Sequence, residues 1–234
     1  LTKELTDSSD LLVISPGVPI DSPVVKAFEA AGVPVWGEVE LAYAFDKGKV
    51  LAITGTNGKT TTTALVGQIV GAYHKDTFVV GNIGNPYTTE VLKSNKDSYT
   101  VAEISSFQME KAKEFHPHIS AVLNITPDHL NRHKTMDVYI AMKERVFAKQ
   151  TAADFCILNH GDEICRKMAD KTAAKVFFFD SSETLAEGIY LDGDAIEVRW
   201  GAINETLIHV DELQILGVHN YENVMAAAAM GICA

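Results

Sequence analysis

The sequence predicts an α/β fold. Residues 1–47 read as the latter part of a βαβ unit, and residues 48–234 as a phosphate-loop unit with a mostly parallel sheet and a smaller antiparallel sheet. Three observations carry this. Short apolar runs alternate with stretches of helical periodicity from residue 10 to residue 179. A Gly-x-x-Gly-Lys-Thr turn joins one such run directly to a helix. From residue 189 the pattern becomes two-faced alternation around Asp192-Gly193-Asp194, which predicts an antiparallel meander.

The elements follow in order. Residues 10–15 (DLLVIS) are an apolar strand stopped by Pro16-Gly17. A helix over 22–31 has Ser22 as its N-cap, Pro23 in the first turn and Gly32 just beyond. Residues 33–36 give a second strand and 38–45 a second helix, closed by Asp46-Lys47-Gly48. The longer series has strands over 50–54, 77–80, 99–104, 119–124, 155–158 and 176–179. Helices over 59–72, 86–92, 135–150 and 162–171 lie between them, and a last helix spans 221–234. Such alternation implies a parallel sheet covered on both faces.

Composition narrows the function. With 47% hydrophobic and 22% charged residues, the 234-residue chain can bury a substantial core, which excludes disordered and fibrous classes. The formal charge of −11 opposes non-specific attraction to nucleic acid or an anionic membrane, so a phosphate ligand must be gripped locally. Cys156, Cys165 and Cys233 suggest neither a disulfide framework nor a zinc set, and a reducing cytoplasm is expected. No apolar run reaches the roughly 18 residues of a membrane span, and the polar opening does not read as a signal peptide. No Met opens the chain and its end falls inside a helical pattern, so a fragment cut at both ends is expected.

The chemistry concentrates at strand ends. Gly55, Thr56, Asn57, Gly58, Lys59, Thr60 and Thr61 follow strand 50–54 and open a helix. Glycines let backbone amides converge on phosphates, Lys59 neutralises charge, Thr60 is placed to reach Mg²⁺, and the helix dipole adds to the attraction. Two residues rather than the usual four separate Gly55 from Gly58, a shorter form of the loop. Glu103 ends an apolar strand on the same edge and is either a Mg²⁺ ligand or a structural hydrogen-bonding carboxylate.

Lys143 falls on the apolar arc of Met136, Tyr139, Ile140 and Phe147 in helix 135–150. It either extends its ammonium to solvent along an apolar stem or stays buried, where a neutral amine becomes a base or adds CO₂ to form a metal-binding anion. His129, in the loop after strand 119–124, is a candidate ligand for a second ion or an ordinary packed histidine. Asn82 lies in a glycine-rich turn where backbone approaches a ligand. Asn220 and Asn223 share a helix face and hold either a nucleotide or a neighbouring element, with capping the ordinary role for Asn220. Ser15 closes a strand in a turn or a pyrophosphate contact.

ITGTNGKTTT, GNIG, AEISSFQ, NITPDHLNRH, the Ala141-Met142-Lys143 helix and GVHNYEN, in this order and spacing, resemble the ATP-dependent Mur ligases of peptidoglycan synthesis. The loop is shared with folylpolyglutamate synthase. The pairing of E-x-S-S-F-Q with T-P-D-H-L-x-R-H is similar to the D-glutamate-adding branch. The resemblance implies the end of a Rossmann-like, UDP-sugar-binding domain over 1–47 and a central ATPase domain over 48–234, with a third domain beyond.

It also implies a cytoplasmic, monomeric enzyme using ATP and two Mg²⁺ ions, with Mn²⁺ as a substitute. That enzyme joins D-glutamate to UDP-MurNAc-L-alanine through an acyl phosphate, and the fragment alone is expected to turn over little. In that scheme Thr60 and Glu103 hold one ion, and His129 and N-carboxylated Lys143 hold the other. Asn82, Ser105, Gln108 and Ser15 line the substrate path, and Asn220 and Asn223 approach adenine and ribose. Another amino-acid ligase of the superfamily and a phosphate-loop NTPase module are the competing readings.

Overall fold

The computed structural model describes residues 2–82 and 84–234; Ile83 of the GNIG motif and Leu1 lie outside the described residues. After a short helix α1 (Thr2–Asp7), strands β1 (Leu12–Ile14) and β2 (Val35–Gly37) pair in parallel as a two-stranded sheet. Helix α2 (Pro23–Ala30) crosses between them and buries Val25 and Phe28 against Ile14 and Val35. Proline pre-sets φ in the first turn of α2, as its sequence suggests. Ser22 occupies the N-cap position but its hydroxyl makes no cap hydrogen bond and is buried without a partner among the described residues. The expected cap is therefore present by position and absent as an interaction. Helix α3 (Glu38–Phe45) leaves this small core, since Val39 and Ala42 pack into the core of the main sheet.

The main sheet has nine strands in the order β11-β10-β9-β8-β7-β6-β3-β5-β4. They are β3 (Lys49–Thr54), β4 (Thr77–Gly81), β5 (Tyr99–Glu103), β6 (Ile119–Val122), β7 (Phe155–Asn159), β8 (Lys175–Asp180), β9 (Gly188–Asp192), β10 (Ala195–Trp200) and β11 (Ile203–His209). Pairing is parallel from β4 across to β9 and antiparallel for β9-β10-β11. The meander is thus where the alternation puts it. It is not a sheet of its own but an extension of the parallel sheet, because Phe179 and Asp180 of β8 pair with Ile189 and Tyr190.

The strands alternate between the two layers that cover them. Leu51 and Ile53 face α4 (Lys59–Tyr73) and α9 (Val218–Cys233), together with Val66, Val70, Met225 and Ala229. Val50 and Ala52 face the opposite layer, which contains Val39, Tyr139, Phe147 and Cys165. That layer is built from α3, α5 (Tyr87–Glu90), α7 (Met136–Glu144) and α8 (Glu163–Met168), and the short α6 (Leu130–His133) packs on α7. Helix α7 is shorter than its pattern suggests: regular turns stop at Glu144, and residues to Gln150 continue as single hydrogen-bonded turns. Phe147 is buried all the same.

The order of strands decides where chemistry gathers. From β3 the chain runs outward to β4, returns to β5 beside β3, then crosses to β6 on its other side. The carboxyl end of β3 is therefore a topological switch point, where the following loops splay apart and open a crevice.

Candidate active site

Loops after β3, β4, β5 and β6 converge at that crevice, a cleft of about 500 Å³ lined among others by Lys59, Asn82, Ser105, His129, Tyr139 and Lys143. The first corner is built on α4. Gly58 has φ +83°, and a Cβ there would lie 2.2 Å from Asn223 Oδ1, so only glycine permits both the turn and the close approach of α9. Thr60 Oγ1 donates to Glu103 Oε2 at 2.9 Å and Asn82 Nδ2 donates to Glu103 Oε1 at 2.8 Å. Both carboxylate oxygens are thereby oriented, which a carboxylate 1% exposed requires. Gly81, at φ +105°, lets β4 turn so that the Asn82 amide donates to Glu103 O at 3.0 Å; a Cβ would lie 2.2 Å from that oxygen.

The second corner centres on Lys143, which is 2% exposed, so the surface-reaching alternative does not hold. Its ammonium donates to Gly55 O at 2.7 Å and Thr54 Oγ1 at 3.4 Å and lies 4.9 Å from the Tyr139 ring centroid. Burial, reinforced by the neighbouring Lys59 charge, lowers its pKa to about 7. Lys59 Nζ is folded onto the same loop, donating to Gly55 O at 3.0 Å and Thr56 O at 2.8 Å. Its pKa is lowered by burial, against the opposing pull of Glu103 and Asp128. Two lysines sharing one carbonyl leave a concentration of positive charge with no carboxylate bonded to it among the described residues, an arrangement suited to an incoming polyanion.

His129 takes φ 53°, an uncommon left-handed conformation for a non-glycine residue, and its side chain is 46% exposed. Its ring lies 4.8 Å from Phe107 and 6.3 Å from Tyr139, which also neighbours His133 at 5.5 Å and Lys143. His129 and Lys143 thus flank one tyrosine ring.

The remaining predicted residues take varied places. Ser105 N–H donates to Gln108 Oε1 at 2.8 Å, and Gln108 Nε2 donates to Glu38 Oε1 at 3.1 Å. Gln108 and Ser15 line a narrow crevice between the small unit and the main sheet, beside the cleft. Asn223 is buried, accepts from Thr62 Oγ1 at 3.3 Å and donates to Asn220 Oδ1, so it touches the back of the phosphate loop. Asn220 Nδ2 donates to Leu216 O just before α9.

Several residues of the site had no expected role. Tyr139 hydrogen-bonds Thr56 Oγ1 at 3.1 Å. His133 meets Ser106 Oγ at 2.9 Å, and burial lowers its pKa. Arg132 lies 4.7 Å from the Phe107 ring, pairs with Glu110 and donates to Val18 O at 3.1 Å, tying the His129 segment to the small unit. The TPDHLNRH motif contains two of these residues, but only their packing reveals what they hold.

The donor chemistry fits a divalent ion in one corner and makes a condition for the other. Thr60 and Glu103 are hard oxygen donors of the type Mg²⁺ prefers. Lys143 as an ammonium is no ligand, and as a carbamate it becomes one.

The Mur ligase middle domain is matched over residues 53–231. The chain is 60% identical over 226 residues to a UDP-N-acetylmuramoylalanine–D-glutamate ligase from Lachnospira eligens, covering 97% of this chain and 50% of that protein. The enzyme of the same name from Clostridioides difficile is 46% identical over 230 residues, again 97% of this chain and 50% of the relative. The chain therefore spans about half the length of these relatives.

Among solved structures, a UDP-N-acetylmuramoyl-L-alanyl-D-glutamate–2,6-diaminopimelate ligase aligns with TM-score 0.66 at 17% identity, over 97% of this chain and 58% of that one. UDP-N-acetylmuramate-alanine ligase from Thermotoga maritima aligns with TM-score 0.60 at 21% identity, over 96% and 52%. At such identities these two speak for the fold alone. With the middle domain matched over most of its length, the chain belongs to the Mur ligase family.

Proposed function

We propose that the chain is the catalytic core of an ATP-dependent ligase that joins D-glutamate to UDP-MurNAc-L-alanine in cytoplasmic peptidoglycan precursor synthesis. One observation carries the reading: Lys59 of the phosphate loop, His129 and Lys143 line one cleft at the switch point of the sheet, and Glu103 is bonded to Thr60 and to Asn82 of its lining. The name shared by the relatives at 60% and 46% identity supports the choice of acceptor and amino acid. Residues 1–47 then serve as the end of the UDP-sugar-binding domain and 48–234 as the ATP-binding domain. Their separate sheets favour this division, with α3 spanning the junction.

In this scheme Lys59 leaves the Gly55 and Thr56 carbonyls for phosphate oxygens of ATP, and the amides of the loop hold the remainder. An oxygen of the L-alanine carboxylate attacks the γ-phosphorus, the bond to the bridging oxygen breaks, and ADP leaves. The amine of D-glutamate then attacks the acyl carbon, loses a proton, and the tetrahedral adduct expels phosphate to leave the amide. Thr60 and Glu103 hold one Mg²⁺, and His129 with N-carboxylated Lys143 holds the second, Mn²⁺ serving as a substitute. These ions would supply charge neutralisation on the phosphoryl oxygens.

Lys143, whose amine is partly neutral near pH 7, adds CO₂ with formation of an N–C bond and release of one proton. Asn82 and Ser105 face the acceptor, with Gln108 and Ser15 at the crevice leading to it. Asn220 and Asn223, behind the loop, stand on the side from which adenine and ribose approach.

The test is phosphate release by the parent enzyme with ATP, UDP-MurNAc-L-alanine and D-glutamate. Release requiring both acceptors is expected. Dependence on a different amino acid, or on a folate acceptor, assigns the chain to another ligase of the superfamily, and release without any acceptor assigns it to the NTPase class.

A further inference from the structure

Asn124 lies two residues past the end of β6 and has no part in the chemistry described above, yet it grips the phosphate loop more extensively than any residue of the loop grips itself. Its backbone carbonyl accepts Thr56 N–H at 2.9 Å, its Oδ1 accepts Asn57 N–H at 2.8 Å, and its Nδ2 donates to the Asn57 carbonyl at 3.2 Å. One side-chain amide thereby satisfies both polar groups of one residue, as a neighbouring strand would. Two more bonds extend the zipper: Thr56 Oγ1 donates to Thr126 O at 3.1 Å and lies 3.0 Å from the Thr126 amide nitrogen. The anchoring segment is itself fixed, since Ile125 N–H donates at 2.8 Å to Asp162, whose other oxygen caps α8.

The consequence is a division of labour within the loop. The amides of Thr56 and Asn57 are consumed by Asn124, whereas those of Gly58, Lys59, Thr60 and Thr61 have no hydrogen-bond partner among the described residues. Those four are the orphan donors at the start of α4. An Asn57 peptide released from this grip is free to rotate, and a rotation that turns its carbonyl toward the cleft sets partial negative charge against a polyphosphate.

We infer that Asn124 is a positioning residue for the phosphate loop, clamping the Asn57 peptide so that the four following amides converge on the polyphosphate of a nucleotide. The inference rests on the ATP-binding reading above. It also makes the loop and the segment leading to His129 one mechanical unit.

The test is carried out on the parent enzyme in three forms: wild type, Asn124→Ala, and Asn124→Asp, which keeps the shape and the acceptor but lacks the donor. Two quantities are read, MgATP affinity by calorimetry and amide exchange at Asn57 by NMR. The expected result is that Asn124→Ala weakens MgATP binding about tenfold or more. Its Asn57 amide should exchange at least about tenfold faster while that of Thr62, bonded to Gly58 O at 2.9 Å, is unchanged. Asn124→Asp should protect Asn57 N–H yet still weaken MgATP binding relative to wild type, and that loss should persist at about 0.5 M salt, where repulsion by the added charge is screened. MgATP affinity within about twofold of wild type in both variants overturns the inference, as does an unchanged Asn57 amide in Asn124→Ala. If the alanine variant does not fold, the isosteric aspartate decides by its affinity relative to wild type at about 0.5 M salt. A wild-type chain that binds no MgATP overturns the nucleotide reading itself and this inference with it.

Discussion

The Thr60–Glu103 corner and the His129–Lys143 corner lie at the ends of strands that flank β3, but they are prepared to different degrees. In the first, two side-chain donors fix both oxygens of a buried carboxylate, so the geometry exists before any ligand arrives. In the second, a half-exposed histidine on a left-handed backbone lines the same cleft as a lysine whose ammonium is bonded to the loop carbonyl. The first is complete as amino acids. The second requires covalent conversion of Lys143 before it offers an anion. In the proposed scheme one metal position would be specified by folding and the other by a chemical step that burial of the amine favours.

The largest effect should come from breaking the unfinished corner. In the parent enzyme Lys143→Ala should lower ligase turnover about a thousandfold, on the scale of losing a preorganised charge partner, and short carboxylic acids should restore part of the rate by supplying the missing oxygens. A variant with wild-type turnover would remove the carbamate from the scheme.

Next is the cost of keeping Lys143 buried as an amine, measurable by urea unfolding of wild type and Lys143→Met in CO₂-free buffer. Its folded pKa of about 7 lies below the ordinary 10.5, so between those values the unfolded chain binds more protons and stability rises with pH. Below about pH 7 the full penalty is present. The methionine variant should therefore be the more stable protein at pH 7, and its advantage should shrink by on the order of 3 kcal/mol by about pH 9.5. A difference that does not change with pH would mean the lysine is not held as described.

The prepared corner should be sharper in binding than in stability. Glu103→Gln turns one of its two oxygens into a donor that faces either Thr60 or Asn82, both of which already donate. MgATP affinity should fall about thirtyfold, whereas His129→Ala should change it by less than about threefold because the nucleotide is held before the second corner is complete. Equal losses from the two substitutions would erase the distinction between the corners.

The smallest effect is expected away from both. Thr63, one turn beyond Thr60, is fully buried and its hydroxyl has no partner among the described residues. Thr63→Val should leave stability unchanged or raise it by up to about 1 kcal/mol, read as a shift in urea midpoint, with MgATP affinity unaffected. A loss of affinity would give that hydroxyl a role in the site.

Much of this was legible in local pattern. Helix 38–45 is read at its observed bounds, and the start of α4 at Lys59 follows from the glycine turn before it. The position of Lys143 on an apolar arc also anticipates its burial. Helix 135–150 is overextended because apolar periodicity continues past Glu144 while the backbone does not. Helices α1 and α6 are too short for a 3.6-residue period to register.

The sequence alone determined which residues could carry charge, nucleophilicity and backbone freedom, and on which strand ends they sit, because those are properties of residue type and local period. Only the tertiary structure decided that Asn82 completes Glu103 and that Asn223 closes on Gly58. It alone brought Lys59 and Lys143 to one carbonyl and Asn124 to the Asn57 peptide. Apart from the local Lys59–Gly55 bond, these contacts join residues distant in the chain, and their partners are set by strand order across the switch point, a long-range quantity that no local window contains.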